Sequence, residues 1–349
     1  MLQGFKMAAA ALAVMAAGAG AAHADDDALR ELAKEMFEPI PTDAVQVNGV
    51  TPTKEQIELG KMLWFEPRLS LGQNISCNSC HNLATGGVDL APTSLGHRWQ
   101  LGGRNSPTVL NAVFNTAQFW DGRAADLVEQ AAGPIENPVE MASNKGHVMT
   151  VLKSIPGYAP LFKAAFPKDK EPLTFDNVVK AIAMFEATLV TPNAPFDRFL
   201  KGDDKALTEQ QKRGLQTFID AGCASCHNGV NLGGNSYQPF GLVERPNGDI
   251  LPADDLGRFE VTRSKDDEYV FKVPALRNVA ITPPYFHSGA VRDLKDAVTI
   301  MGTAQLGAEL EAQEVADIVA FLESLTGDQP QVTYPVLPAS TAETPLPQQ

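Results

Sequence analysis

The sequence predicts a mainly α-helical fold divided between two related domains, and three observations carry that prediction. Apolar residues recur at helical spacing, as Val178, Ile182, Phe185 and Leu189 do within 174–189, while alternating strand patterns are few. The signature Cys-x-x-Cys-His occurs twice, at Cys77–His81 and Cys223–His227, and uses all four cysteines. Each copy follows a segment of the same form: Glu55-Gln56, Gly60 and Trp64 before the first, Glu209-Gln210, Gly214 and Phe218 before the second. Both segments read as a short helix ending in an aromatic residue.

The elements follow in chain order. Residues 1–24 hold one lysine, Lys6, no acidic residue, and an apolar run from Met7 to Ala22 that ends in Ala22-His23-Ala24. This is the pattern of a cleaved secretory signal rather than an anchor, because the run is short and Asp25-Asp26-Asp27 follows at once. The expected compartment is the periplasm. The remaining chain, 349 − 24 = 325 residues, suits two domains of ordinary size. Nothing after residue 24 approaches the ~20 apolar residues of a membrane span. The helix over 174–189 is interrupted by Thr191-Pro192-Asn193-Ala194-Pro195, which sets the boundary between a first domain at 25–190 and a second at 191–328. Val315, Ile318, Val319, Leu322 and Leu325 form one face of a closing helix that stops at Gly327. The Pro/Thr/Gln-rich tail at 329–349 is expected to lie extended on the first domain. The remaining connections are long and rich in glycine and proline, as happens when a large cofactor replaces part of the aliphatic core.

Without Lys6 the chain has 27 basic and 42 acidic residues, a formal charge of −15. That balance argues against nucleic acid and suits either solubility alone or a protein partner with a basic docking face.

Three chemistries compete for the cysteines: disulfides, zinc, or covalent c-type haem. Disulfides leave the adjacent histidine of both copies unexplained. Paired zinc ligands return within about 15–20 residues, whereas 223 − 80 − 1 = 142 residues separate Cys80 from Cys223. Haem needs this spacing: two thiols must reach two vinyl groups on one edge of the macrocycle while the next residue brings its imidazole under the iron. The sequence therefore predicts two covalent c-type haems in two cytochrome c-like domains, attached through Cys77 and Cys80, and through Cys223 and Cys226. His81 and His227 are their proximal ligands. The sixth ligand decides whether a haem binds a small molecule or only carries electrons. For the second haem Met301 is the only methionine after the signature (301 − 227 = 74), with His287 as its rival; a thioether ligand raises the potential. For the first haem the nearest candidate is His97 (97 − 81 = 16), across a loop containing Gly86, Gly87 and Gly96, unless it is a surface histidine.

With these motifs the chain resembles the bacterial dihaem cytochrome c peroxidases, a family that includes the MauG-type enzymes. The resemblance rests on both signatures, the step to His97, "FWDGRA" at 119–124, "NPVEM" at 137–141, "PPYFHSG" at 283–289 and the step to Met301. It implies that hydrogen peroxide is reduced at a low-potential first haem, with electrons entering through a high-potential second haem. It implies further that His97 blocks the first iron at rest and leaves when the second haem is reduced. Glu140 matches the family's catalytic carboxylate and Gln130 a distal amide that orients peroxide, whereas Glu129 is expected to face elsewhere. Trp120 matches the aromatic residue between the haems, Phe119 a pocket residue, and His287 a structural or activation residue. Asn105, Thr282 and Pro284 match an interdomain calcium site, the last two through main-chain carbonyls. The implied partners are a small soluble donor, a monohaem cytochrome c or a cupredoxin, and a second copy in a homodimer.

Two rivals remain at this level. A MauG-like enzyme would use peroxide to oxidise a partner protein, but that branch carries a tyrosine where Met301 stands. A dihaem electron carrier would have no need of Glu140 and Gln130.

Overall fold

The computed structural model describes residues 26–43 and 45–348, so the proposed signal at 1–24 lies outside it. Helix α1 covers 26–34. The first half continues with α2 (Lys54–Trp64), α3 (Cys77–Cys80), α4 (Leu127–Glu136), α5 (Lys145–Lys153), α6 (Tyr158–Ala165) and α7 (Phe175–Glu186). The second half holds α8 (Pro195–Leu200), α9 (Glu209–Asp220), α10 (Phe259–Thr262), α11 (Leu294–Met301) and α12 (Ala312–Glu323). The sheet among the described residues is one antiparallel pair, β1 (Tyr237–Pro239) and β2 (Val270–Lys272), with Tyr237 opposite Lys272. The protein is mainly α-helical, as the sequence predicts.

The repeat seen in the sequence is a repeat of helix pairs. Thr53 and Thr208 cap α2 and α9 with their hydroxyls, and Gln56 and Gln211 return the bond to the cap backbone. Helix α2 then packs on α7, and α9 on α12, in one geometry. A Cβ at Gly60 would sit 1.8 Å from the Ala181 carbonyl oxygen, and one at Gly214 would sit 1.8 Å from that of Asp317. Only glycine admits these approaches. One turn later the Trp64 and Phe185 rings meet at 5.8 Å, and the Phe218 and Phe321 rings at 5.3 Å.

Each pair anchors its own core. Leu59, Leu63, Val178 and Ile182 belong to the first, together with residues of α4, α5 and α6. Leu215, Phe218, Ile318 and Phe321 belong to the second, with Phe196 and Phe199 of α8. Full burial of such a side chain stabilises the fold by ~1.5–3 kcal/mol.

The N-terminal segment departs from the sequence-based boundary. The sequence assigns it to the first domain, yet Ala33 and Phe37 belong to the second core, and Phe37 meets Phe196 edge-on at 5.5 Å. Ion pairs from Arg30 to Asp204 and from Lys212 to Asp26 fix it there. The C-terminal tail crosses in the other direction. Tyr334 packs on Phe65, Arg68 donates to Ser340 Oγ, and Gln348 N donates to the Leu71 carbonyl, all in the first half.

A second repeat, missed in the sequence, closes the contact between the halves. Pro107-x-x-x-Asn111 and Pro274-x-x-x-Asn278 each end in an asparagine at positive φ, 62° and 63°, which opens a short 3-10 turn. Both asparagine amides donate to Thr191 Oγ1, at 2.7 and 2.9 Å, in a fully buried polar knot at the boundary between the halves. The recurrence of Pro-x-x-x-Asn after each signature was the signal that could have revealed it.

Candidate active site

Each Cys-x-x-Cys-His signature opens onto a cavity. The first, about 670 Å³, is lined by Cys77, Cys80 and His81, by Trp64, Ile182 and Glu186 of the α2/α7 pair, and by Gln130, Asn137 and Glu140. That volume lies within the range of cofactor pockets. The second is lined by Cys223, Cys226 and His227, by Phe218 and Leu322 of the α9/α12 pair, and by Met301. Asn105–Thr108, Phe119 and Trp120 line both, so the two cavities share a wall.

The side chains fit a covalent haem in each cavity. All four cysteines are free, without disulfides. Burial pushes the Cys77 thiol up to about 12, with Glu186 adding to the effect, and pushes Cys80 and Cys223 up to about 11. Desolvation of this kind favours the neutral thiol over the thiolate. The α2/α7 and α9/α12 pairs place Trp64 6.2 Å from the His81 ring and Phe218 6.4 Å from the His227 ring. Burial lowers the pKa of both histidines, that of His227 to about 4, against the opposing pull of the Leu232 and Pro274 carbonyls. Both imidazoles are therefore neutral. His227 Nδ1 lies 3.2 Å from the Leu232 carbonyl oxygen, which leaves Nε2 for a metal. Among the described residues His81 Nδ1 is buried with no hydrogen bond of good geometry, although the Gly87 and Pro107 backbones favour its charged form against desolvation. Met301, at the C-terminal end of α11, and His287 both reach the second cavity, so the two candidates for its sixth ligand stand together.

Helix α4 and the turn after it build the other face of the first cavity. Asp126 caps α4 through its side chain, and Gln130, one turn in, lines the cavity. Glu129 is exposed and spends its carboxylate on the Ala125 N–H. At the helix end Asn137 Oδ1 accepts the Val139 N–H and its Nδ2 donates to Glu140 Oε1 at 2.6 Å, which aims the carboxyl into the cavity. Burial raises the pKa of Glu140, opposed by the Asn137 bond and by Arg123.

His97 behaves differently from expectation. Its side chain is buried yet does not line the first cavity. It lies beside Gly72, where a Cβ would come 3.6 Å from Nδ1. The reason lies in the backbone. Residues 94–102 fold back on themselves through the Leu95–Leu101 bridge, with Arg98 and Trp99 at positive φ, and His97 N donates to the carbonyls of Val139 and Glu140.

Trp120 sits in the shared wall. Its Nε1 donates to the Asn105 carbonyl at 2.8 Å, and its own carbonyl accepts the Lys272 N–H. Phe119, at positive φ, carries the Arg123 guanidinium 3.5 Å above its ring. Asn105, Thr282 and Pro284, the calcium candidates, all line the second cavity; the Asn105 amide donates to the Ala91 and Pro92 carbonyls and leaves Oδ1 free. His287 stacks on Phe271 at 4.2 Å, and its pKa falls to about 4 through burial, against the pull of Asp255.

Sequence reading missed three residues here. Arg104 bridges Asp121 and Asp255 and so ties the shared wall to the second half. Lys272 is buried in the second cavity, with its pKa lowered to about 8 by desolvation. Glu186 is buried in the first, its carboxyl pushed up to about 8 by desolvation. The first two depend on contacts between distant segments and left no local signal.

Two signature cavities with a common wall, one of them furnished with a carboxyl and an amide, define a dihaem c-type redox protein. The family described as di-haem cytochrome c peroxidase matches residues 54–205, and the family described as cytochrome c matches residues 211–326. The chain is 59% identical over 324 residues to cytochrome c551 peroxidase of Pseudomonas aeruginosa, covering 93% of this chain and 94% of that one. It is 51% identical over 300 residues to cytochrome c551 peroxidase of Nitrosomonas europaea, covering 86% and 88%. Among solved structures, a MauG-like protein associated with microbial copper homeostasis superposes with a TM-score of 0.72 at 27% identity, covering 83% of this chain and 93% of that one. The chain belongs to the dihaem cytochrome c peroxidase family, and it is an oxidoreductase that reduces peroxide.

Proposed function

We propose that hydrogen peroxide is reduced in the first cavity, with electrons entering at the second. The observation that carries this reading is the distribution of carboxyl groups: Glu140 lines the first cavity together with Gln130, and among the described residues no carboxyl group lines the second. The reaction is H2O2 + 2e⁻ + 2H⁺ → 2H2O. When bound, the haems supply the metal that takes up peroxide and the two electrons.

The protein's own groups handle protons and position. Glu140 Oε1 is held by Asn137, and its raised pKa brings the carboxyl nearer to neutrality. It takes the proton from the bound peroxide oxygen and returns it to the departing one, which leaves as water. The Gln130 amide donates a hydrogen bond that orients the substrate. Phe119 and Pro134 supply apolar wall. Trp120 lines both cavities, which supports a role for its ring in electron transfer between the haems.

In the resting oxidised enzyme His97 would hold the first iron as its second protein ligand, which would require its loop to leave the place it has beside Gly72. Met301 would hold the second haem's iron opposite the signature histidine, with His287 as a structural or activation residue. A calcium ion would be held by Asn105 and by the main-chain carbonyls of Thr282 and Pro284. The chain is exported to the periplasm and works as a homodimer, with a monohaem cytochrome c or a cupredoxin docking over the second haem. No helix among the described residues is long and apolar enough to cross a membrane.

The test is peroxide consumption with a reduced monohaem cytochrome c. Glu140→Gln should lower turnover by roughly 10²–10⁴-fold while both haems remain attached. Wild-type turnover in that variant would remove Glu140 from the mechanism. Peroxide-dependent oxidation of a partner protein, with no turnover of the cytochrome, would favour the MauG-like reading.

A further inference from the structure

We infer that Glu186 lowers the reduction potential of the first haem and so adds to its separation from the second, a role that rests on the first cavity being the low-potential site. The two modules are superimposable at the level of individual residues. Gly60 against Ala181 corresponds to Gly214 against Asp317, and Trp64 against Phe185 to Phe218 against Phe321. The next residue of each helix faces its cavity: Glu186 at the end of α7, Leu322 near the end of α12. The second module therefore has an isobutyl group where the first has a carboxyl.

That exchange has no structural return. Glu186 is 4% exposed and Leu322 3%, so both are core positions. Among the described residues the Glu186 carboxyl has no hydrogen-bond partner and no ion pair, its backbone carbonyl alone accepting the Leu189 N–H, although burying an unpartnered carboxyl is unfavourable. Trp64 repeats the theme: its Nε1 is buried without a partner at the place where the second module has Phe218. Burial alone disfavours the ionised Glu186 carboxyl, and a cationic iron held at His81 would favour it. A negative charge there favours the ferric state, which carries one more positive charge than the ferrous state, and the apolar α2/α7 packing screens it weakly. One-electron reduction of the first haem is made harder by that amount, while Leu322 exerts no such field on the second.

The test is spectroelectrochemical titration of the intact dihaem protein. Glu186→Leu and Glu186→Gln should raise the first haem's potential, changing the electron distribution between the haems about tenfold, which is about 59 mV for a one-electron couple. The second haem's potential should not move. In the reverse direction Leu322→Glu should lower the second haem's potential, with Leu322→Gln as the uncharged control. If the wild-type first haem is not the lower of the two, the assignment of the cavities fails. If it is the lower, and the near-isosteric Glu186→Gln leaves its potential unchanged in a protein with both haems attached, the role of Glu186 is refuted.

Discussion

His97 donates its backbone N–H to the carbonyl oxygen of Glu140 at 2.8 Å, which ties the loop bearing the candidate plug to the turn bearing the candidate acid–base group. Moving the loop off this turn costs that bond, about 1 kcal/mol. When the loop is seated on this turn, the imidazole lies beside Gly72 and the Glu140 carboxyl faces the cavity.

Gly96 makes that seat possible. A Cβ there would fall 1.9 Å from the Val139 carbonyl oxygen, although the Gly96 backbone, at φ −110°, would accept alanine. Gly96→Ala should therefore unseat the loop without damaging its fold. An overpacking penalty of ~1–3 kcal/mol corresponds to roughly 5- to 140-fold against the seated loop, at 1.4 kcal/mol per factor of ten. Steady-state peroxide turnover should fall accordingly, with haem content unchanged.

The pH profile should report Glu140. A base works only when ionised, and burial raises its pKa, so the acid limb of kcat/KM should lie above the ~4.3 of an ordinary glutamate. Arg123 opposes the shift by favouring the carboxylate. Arg123→Gln should therefore move the limb to higher pH, and Arg123→Lys should leave it near its original position. Rate measurements across the acid range check both.

Trp120 has separable roles as packing and as a path. Trp120→Phe keeps an aromatic ring in the shared wall but loses the Nε1 bond to the Asn105 carbonyl. In stopped-flow mixing of the half-reduced enzyme with peroxide, oxidation of the second haem should slow while both haems stay attached.

Much of this architecture was legible in the sequence because it is written twice. The signature occurs twice, and the Gly60 and Gly214 segments before the two copies share their internal spacing, five residues from glutamate to glycine and four from glycine to the aromatic residue; a repeated glycine at a helix contact leaves a readable mark. Glu140 and Gln130 were found only through family resemblance, since a glutamate after a helix is ordinary in itself. Glu186 was hidden for the same reason. The packing of α1 on the second core could not be read, because Ala33 and Phe37 show an apolar face without naming its partner. The direction of His97 depends on positive φ at Arg98 and Trp99, residue types that seldom take that conformation and so give no sign of it in the sequence.

The helix contacts themselves are testable. Gly60→Ala and Gly214→Ala each place a methyl group inside a carbonyl contact of 1.8 Å, and each should destabilise its own module by ~1–3 kcal/mol or more. Thermal unfolding followed at the Soret band of each haem should show the loss in one module before the other.

The most direct test of the gating model is the spin state of the first haem before and after one electron is delivered to the second. Low-spin iron in the fully oxidised protein, changing to high-spin when the second haem is reduced, is the expected result. High-spin iron before any reduction would show that His97 is not a resting ligand, and low-spin iron in both states would show that the loop does not open.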